Sequence, residues 1–197
     1  MDLPRSDYGV ILADPPWSYI TWSIKGSGRS ADQHYSTMKT EDIAALPVSS
    51  VAARDCALFM WATWPCLLGA PEVMKAWGFR YVTCAFVWVK AAQQRKLLLE
   101  EGDGTLKTQM GNGYYTRANS EPLLLGVRGR PKVLRHDVKQ IIEGEVLEEK
   151  RREHSRKPDK QYSLIESLFV GPYLELFARK IHPGWDAWGN EVGKFAA

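Results

Sequence analysis

The chain has 197 residues, 45% hydrophobic and 25% charged, with a net charge of +3 and a pI near 8.7. This suits one globular domain spanning 1–197 and permits a nucleic-acid partner without requiring one. Three cysteines without a CxxC pair and four scattered histidines predict no disulfide framework and no metal site, and they favour a reducing compartment. The acidic, proline-containing start does not resemble a signal peptide, and no run approaches about 20 apolar residues, so we expect no membrane span.

Apolar runs and helical periodicities alternate along the chain. In chain order, we predict a strand at Tyr8–Ala13, a helix at Thr40–Leu46, a strand at Ala57–Ala62, a helix within Pro65–Trp77, strands at Tyr81–Val89 and Glu121–Val127, a helix at Asp159–Leu168, and strands at Tyr173–Ala178 and Trp185–Trp188. This alternation is typical of an α/β fold with a mainly parallel sheet flanked by helices.

Two long segments, near 91–119 and 128–156, interrupt the alternation. The first is polar and rich in glycine, and the second is strongly charged, with a helix expected over Arg135–Lys150. Both are long for connections inside a compact domain, which indicates functional loop insertions or disordered stretches.

The tetrad Asp14-Pro15-Pro16-Trp17 follows the first predicted strand directly. Ligands of open α/β sheets bind at the carboxyl ends of the strands, so the Asp14 carboxylate is expected at a binding edge. The two prolines lack N–H groups and restrict the residues before them, which predicts carbonyls of Asp14 and Pro15 that point outward. These acceptors complement a planar NH₂ group, and Trp17 offers a ring for base stacking. The alternative is a strand that ends in a proline turn with Trp17 buried.

The tetrad resembles motif IV of amino-methyltransferases, and further stretches agree with one family of them. Together they resemble the MT-A family, which contains the mRNA adenosine methyltransferase catalytic subunit and its bacterial and bacteriophage DNA adenine relatives in the beta class. The stretches, in chain order, are HYSTMKTEDIAALPV, ALFMWATWP, AWGFRYVTCAFVWVK, NSEPLLLGVRG, REHSRKPD and YLELFARKIHPGWDAWGNEV. The resemblance is densest in 9–46, 56–90, 113–130 and 151–192.

The resemblance implies a fold, a reaction and a cofactor. The fold is a circularly permuted Rossmann-like methyltransferase, in which the catalytic strand precedes the cofactor-binding half. The reaction is methyl transfer from S-adenosylmethionine to the 6-amino group of adenine, with Asp14, Pro15, Pro16 and Trp17 as the catalytic tetrad. The residues implied to bind the cofactor are Asp14, Lys157, Glu175, Phe177, Arg179, Asn190 and Glu191. Of these, Lys157 is implied to pair with the methionine carboxylate, and Asn190 and Glu191 with the ribose hydroxyls.

DNA is the expected substrate, because the chain is short and has no separate recognition region, as in stand-alone bacterial and phage enzymes. We therefore expect a cytoplasmic protein of a bacterial or phage-infected cell. The expected substrate contacts are Tyr35, Tyr115, Arg117, Glu121, Arg151 and Arg152. The basic stretches also offer Arg128, Arg130 and Lys132 to phosphates. For several of these positions a structural role is an equal alternative: packing for Tyr35, a strand start for Glu121, and a salt-bridged helix face around Arg151.

Three other functions remain open from the sequence. Adenine in RNA is an alternative substrate, because the family includes RNA enzymes. Methylation of the 4-amino group of cytosine also needs acceptors for an NH₂ group, although such enzymes usually begin the tetrad with serine. A non-catalytic nucleic-acid-binding subunit is the third alternative, which the intact Asp14 and Lys157 disfavour.

Overall fold

Seven strands form one sheet in the computed structural model, which describes residues 3–4, 7–18, 37–90, 115–143 and 156–194. The strands are β1 Tyr8–Ala13, β2 Ala52–Trp61, β3 Arg80–Val89, β4 Ser120–Arg128, β5 Ile141–Glu143, β6 Tyr173–Leu176 and β7 Trp185–Trp188. Their spatial order is β5-β3-β4-β2-β1-β6-β7. After β1 the chain forms β2 to β5 on one side, with β4 inserted between β2 and β3, and it later adds β6 and β7 on the other side.

All pairings in this sheet are parallel except the two made by β4, which runs antiparallel to both β2 and β3. The carboxyl ends of β1, β2, β3, β6 and β7 therefore share one edge with the amino end of β4. We call this edge the active edge. Because β1 pairs with β2 on one side and with β6 on the other, the strand order reverses beside β1, and such a point is where ligands bind in open α/β sheets.

Within the described ranges, three α-helices cover the two faces of the sheet: α1 Thr40–Ala44, α2 Ala70–Ala76 and α3 Lys160–Leu168. Alternate side chains of β1 enter the two faces, with Ile11 packed against the side of α1 and α2, and Val10 and Leu12 packed against the side of α3. The result is a three-layered α/β/α arrangement. No helix of the described ranges is long and apolar enough to cross a membrane.

The predicted α/β fold with a mainly parallel sheet is confirmed, and all six predicted strands are present. The helix expected over Arg135–Lys150 is wrong for the residues described there. Ile141–Glu143 forms the edge strand β5 beside β3 instead, and the buried Ile142 packs beneath α3. The apolar pair Ile141-Ile142 thus gains a strand neighbour and a core contact, which outweigh the weak helical pattern of the surrounding charges.

Candidate active site

Charged side chains from four separate segments meet at the active edge. Asp14 follows β1, Lys90 follows β3, Glu121 is the second residue of β4, and Lys157 lies just before α3. The antiparallel direction of β4 is what brings Glu121 to this edge, since its amino end lies beside the carboxyl ends of its neighbours. The topology thus assembles a site from residues spread along the whole chain.

Lys157 lies between two carboxylates in a chain of alternating charges. Its Nζ is 2.9 Å from Oδ1 of Asp14 and 3.2 Å from Oε2 of Glu121. The row of ion pairs continues at both ends. Lys90 Nζ is 2.5 Å from Oε1 of Glu121, and an Arg179 guanidinium nitrogen is 3.6 Å from Oδ2 of Asp14. The Lys157 side chain is only 9% exposed, and a charge buried this deeply requires such partners.

These contacts keep the central groups ionised despite their burial. Burial alone would raise the pKa of Glu121, but attraction to Lys157 and Lys90 outweighs it and lowers that pKa. Burial alone would lower the pKa of Lys157, but attraction to Asp14 and Glu121 outweighs it and raises that pKa. The site therefore presents fixed charges at neutral pH.

Local packing fixes the position of Lys157. Its ammonium lies 5.5 Å from the centre of the buried Trp61 ring, which adds a cation–π attraction. The Trp61 indole N–H in turn donates to Oε1 of the buried Gln161 at 2.7 Å. Pro158, which is buried, separates the lysine from the first turn of α3. The carboxyl end of β2 and the start of α3 are thereby joined directly behind the ammonium.

The tetrad is held by its own backbone and by the core, which differs in two ways from the sequence expectation. The Pro15 carbonyl accepts the N–H of Trp17 at 2.8 Å, so one of its lone pairs is occupied, and the Pro16 carbonyl accepts the N–H of Met38. The Trp17 ring is only 4% exposed, and its N–H donates to the Trp61 carbonyl at 2.8 Å. A base-stacking role for Trp17 is therefore wrong, because its ring packs in the core and anchors the tetrad to β2.

An open pocket with an empty volume of about 360 Å³ begins at Asp14 and extends toward the C-terminal strands. Five predicted site residues line it: Asp14, Lys157, Glu175, Phe177 and Arg179. The pocket thus connects the tetrad with the part of the chain that was predicted to bind a cofactor.

Glu175 is a buried acid in the wall of this pocket. Its Oε2 accepts the Tyr162 hydroxyl at 2.9 Å, and the Tyr162 ring stacks on His182 with centroids 3.9 Å apart. Burial raises the pKa of Glu175 to about 7, a rise that the Tyr162 hydrogen bond opposes and the negative charge of Asp14 reinforces. Near neutral pH this carboxyl group therefore exists in both protonation states.

The turn after β6 has the backbone form that glycine usually supplies. Phe177 has a φ of 62°, and this left-handed conformation costs roughly 1–2 kcal/mol for a residue with a side chain. Its ring packs edge-on against Trp188, with centroids 5.7 Å apart. A Cβ on Gly189 would come within 2.8 Å of the Ala178 backbone. Residue 189 must therefore be glycine for the turn after β7 to lie against the turn after β6.

Comparison with known proteins agrees with this geometry. The profile of the MT-A70 family matches residues 8–191. The chain belongs to the MT-A70 family. The resemblance found in the sequence is therefore confirmed.

Three proteins that are similar in sequence to this MT-A70 chain differ in length and source. The Type II methyltransferase M.MunI of Mycoplasma sp. is 34% identical over 208 residues, covering 96% of this chain and 80% of that protein. The N(6)-adenosine-methyltransferase MT-A70-like protein of Arabidopsis thaliana is 31% identical, covering 94% and 24%. The human N(6)-adenosine-methyltransferase catalytic subunit METTL3 is 28% identical, covering 94% and 28%. The chain thus spans about a quarter of those eukaryotic proteins and most of the bacterial one.

The remaining residues predicted for the MT-A70 site are placed less centrally. Asn190 and Glu191 follow Gly189 at the active edge, and Glu191 pairs with Lys194. Tyr115 and Arg117 are exposed on the segment leading into β4, and Tyr115 has a φ of 55°. The other three predicted substrate residues lie outside the described residues: Tyr35, Arg151 and Arg152.

Two of the residues offered to phosphates lie away from the MT-A70 pocket. Because β4 is antiparallel, Arg128 and Arg130 lie at its carboxyl end, on the edge of the sheet opposite to Asp14. The Arg128 guanidinium donates to the carbonyls of Ser49 and Ala52. It therefore anchors the start of β2, away from the pocket.

Sequence reasoning missed half of the residues that line the MT-A70 pocket. Tyr162 and Gln161 lie in the predicted helix Asp159–Leu168 without an assigned role, and their polar ends reach Glu175 and Trp61 from there. The other missed residues form an ion-pair cluster at the start of α3: Arg156, Asp159 and Lys180. The signal that could have found them is the density of charge in two short segments, RKPD at 156–159 and ELFARK at 175–180. Together these segments hold four cations and two acids.

Proposed function

We propose that the protein transfers a methyl group from S-adenosylmethionine to the 6-amino group of adenine in DNA. One observation carries this proposal: the Asp14 carboxylate borders the same pocket as Lys157, Glu175 and Phe177 from the C-terminal half. An acceptor for an amine and a cradle for a cofactor are thereby adjacent. Membership of the MT-A70 family supports methyl transfer as the chemistry.

The residues of the pocket fit S-adenosylmethionine, which supplies an electrophilic methyl group on a sulfonium when bound. Lys157 would bind the methionine carboxylate, because it is the most deeply buried cation of the pocket and remains ionised. Glu175 would accept a hydrogen bond from the cofactor, and Phe177 and Arg179 would contact its nucleoside. Asn190 and Glu191, at the end of the active edge, would hold the ribose hydroxyls.

Two acceptors of the tetrad would activate the target amine. The lone pair of an exocyclic adenine nitrogen is delocalised into the ring, so the free amine is a weak nucleophile. The Asp14 carboxylate and the second lone pair of the Pro15 carbonyl would accept its two hydrogens and favour a pyramidal nitrogen. The Trp17 anchor to β2 holds these acceptors in place before the substrate arrives. Such preorganised hydrogen bonds are worth roughly 10²–10³ in rate.

DNA is favoured as the substrate by the relative that this chain matches over most of both lengths, a Type II methyltransferase. A base in a duplex must leave the stack to reach the Asp14 carboxylate, which costs a few kcal/mol. Tyr115 and Arg117 are exposed beside β4 and would contact the strand. Arg151 and Arg152 would bind phosphates, so replacing both by alanine should reduce the salt dependence of DNA binding.

The test is identification of the modified nucleoside. Unmethylated plasmid DNA is incubated with S-adenosylmethionine and the wild-type protein, Asp14→Ala, or Asp137→Ala, in which an exposed carboxylate far along the chain is removed. After digestion to nucleosides, mass spectrometry should find N6-methyladenine with the wild type and with Asp137→Ala, and none with Asp14→Ala.

Each alternative function predicts a result of its own. Methylcytosine in place of methyladenine would overturn the adenine assignment. Transfer to an adenine-containing RNA and not to DNA would overturn the DNA assignment. Calorimetry that finds no binding of S-adenosylmethionine, together with DNA binding, would indicate a non-catalytic subunit.

A further inference from the structure

Trp64 is exposed, whereas the other tryptophans of the described ranges are buried or partly buried. Its exposed fraction is 44%, against 1% for Trp61 and 0% for Trp77. Exposing an indole to water forgoes the stabilisation that burial would bring. The packing of the fold therefore does not account for this side chain.

The exposed ring is nevertheless held rigidly. Its N–H donates to the carbonyl of Ser120 at 2.9 Å and lies 3.3 Å from the Ser120 hydroxyl. Trp64 also opens a short 3₁₀ turn whose second residue is Pro65, which restricts the backbone. A ring fixed in this way loses little conformational freedom when another flat group packs on it.

Trp64 lies at the active edge, beside the acceptors of the tetrad. Ser120, which binds the indole, is followed directly by Glu121, and Glu121 shares the ammonium of Lys157 with Asp14. The exposed ring is thus connected to the Asp14 carboxylate through three residues: Ser120, Glu121 and Lys157. This is a fitting position for a group that neighbours the target base.

Positive charge accompanies the ring. Lys90, at the same edge, is 28% exposed, and Arg117 is exposed three residues before Ser120. Aromatic rings beside cations are the usual arrangement for holding single-stranded nucleic acid, in which bases stack on the rings and phosphates pair with the cations.

We propose that Trp64 is a stacking platform for an unpaired nucleobase adjacent to the target adenine. The inference rests on the proposed function and extends it by assigning a binding site for the substrate strand. Stacking of one base on an aromatic side chain is worth a factor of roughly 5 to 150 in affinity and is tolerant of sequence. The ring would therefore hold the strand without selecting its sequence.

The experiment separates base contacts from phosphate contacts. Two fluorescein-labelled probes are compared, a single-stranded dA 12-mer and an abasic 12-mer with the same number of phosphates. Their affinities are measured by fluorescence anisotropy for the wild type, Trp64→Ala and Trp64→Phe. Leu68→Ala is the matched control, because Leu68 is 89% exposed on the turn that follows Pro65.

Stacking predicts that Trp64→Ala weakens binding of the dA 12-mer by roughly 5- to 150-fold and leaves the abasic probe unchanged. Trp64→Phe should retain most of the affinity, and Leu68→Ala all of it. Equal loss for both probes, or loss for neither, would overturn the inference.

Methyl transfer to plasmid DNA by the wild type, measured in parallel, tests the proposed function separately. Transfer by the wild type with no effect of Trp64→Ala on the dA 12-mer overturns the stacking site alone. No transfer by the wild type, with binding that still depends on Trp64, overturns the reaction and supports the stacking site. Thermal unfolding of each variant verifies that the exposed substitutions leave the fold intact.

Discussion

The ammonium of Lys157 is 2.9 Å from the carboxylate of Asp14, although the two residues belong to opposite halves of the chain. Asp14 is the first residue after β1. Lys157 lies three residues before the start of α3 at Lys160. This ion pair joins the proposed acceptor of the target amine to the proposed anchor of the cofactor. The two functions are therefore coupled electrostatically, and the consequences can be measured.

Replacement of Asp14 by asparagine should separate charge from shape. Asparagine keeps the size of the side chain, but it removes the negative charge and turns one acceptor into a donor. We expect kcat to fall by about 10²–10³ while S-adenosylmethionine still binds. Rates are measured with radiolabelled cofactor and binding by calorimetry. More than a tenth of the wild-type rate in Asp14→Asn would contradict the assigned role.

Lys157 and Glu121 should be coupled in stability as well as in function. Lys157→Met leaves Glu121 buried with Lys90 as its remaining partner, whereas Lys157→Met combined with Glu121→Gln removes the uncompensated charge. We expect the double variant to lose less unfolding free energy than the two single variants lose together, by about 0.5–3 kcal/mol. Urea unfolding of all four proteins measures this coupling. Simple additivity would show that the 3.2 Å contact contributes nothing.

The acid in the pocket wall should make stability fall as pH rises. The pKa of Glu175 is about 7 in the folded protein, above its usual value of 4.5. Between these two values the folded protein holds a proton that the unfolded chain has released, so folding is favoured at the lower pH. Relative to Glu175→Gln, which keeps an acceptor for Tyr162, the wild type should lose stability from pH 5 to pH 8, by about 3 kcal/mol.

Urea unfolding at pH 5, 6, 7 and 8 tests this difference. Glu41→Gln, which changes an exposed carboxylate on α1, is the control and should follow the wild type at every pH. Parallel curves for the wild type and Glu175→Gln would mean that Glu175 ionises as an ordinary surface acid does.

The left-handed turn after β6 should favour glycine over alanine. Phe177→Gly and Phe177→Ala both lose the ring contact with Trp188, so the difference between them reports the backbone alone. We expect the glycine variant to be more stable by about 1–2 kcal/mol. Thermal unfolding measures the difference. An alanine variant as stable as the glycine variant would show that the φ of 62° is not maintained in solution.

The strand pattern and the tetrad were predictable because their signals are local. Tyr8–Ala13 and Tyr173–Ala178 are apolar runs whose burial dictates strands, and Asp14 follows the first of them directly. The antiparallel direction of β4 has no local signal in the sequence. The position of Arg128 on the far edge of the sheet depends on that direction, so it was not predictable either. Direction depends on how a long connection returns to the sheet, and side-chain periodicity does not encode it.

The fate of Trp17 and of the Pro15 carbonyl was also hidden from the sequence. A tryptophan after two prolines suits a stacking surface and a buried anchor equally well, and only its neighbours decide between them. Here the Trp61 carbonyl supplies the acceptor that the indole N–H needs when buried. Trp64 shows the other outcome, because its indole N–H also donates to a backbone carbonyl, that of Ser120, while its ring stays exposed.

The pairing of β1 with β6 sets Val10 opposite Tyr173. A growing polypeptide therefore completes one side of its first strand only when its penultimate strand has been synthesised. The tetrad and the pocket beside it are therefore completed together, late in translation. A fragment that stops before residue 173 would carry the tetrad with an unpaired strand beside it, and adding the missing piece in trans is the direct way to restore both.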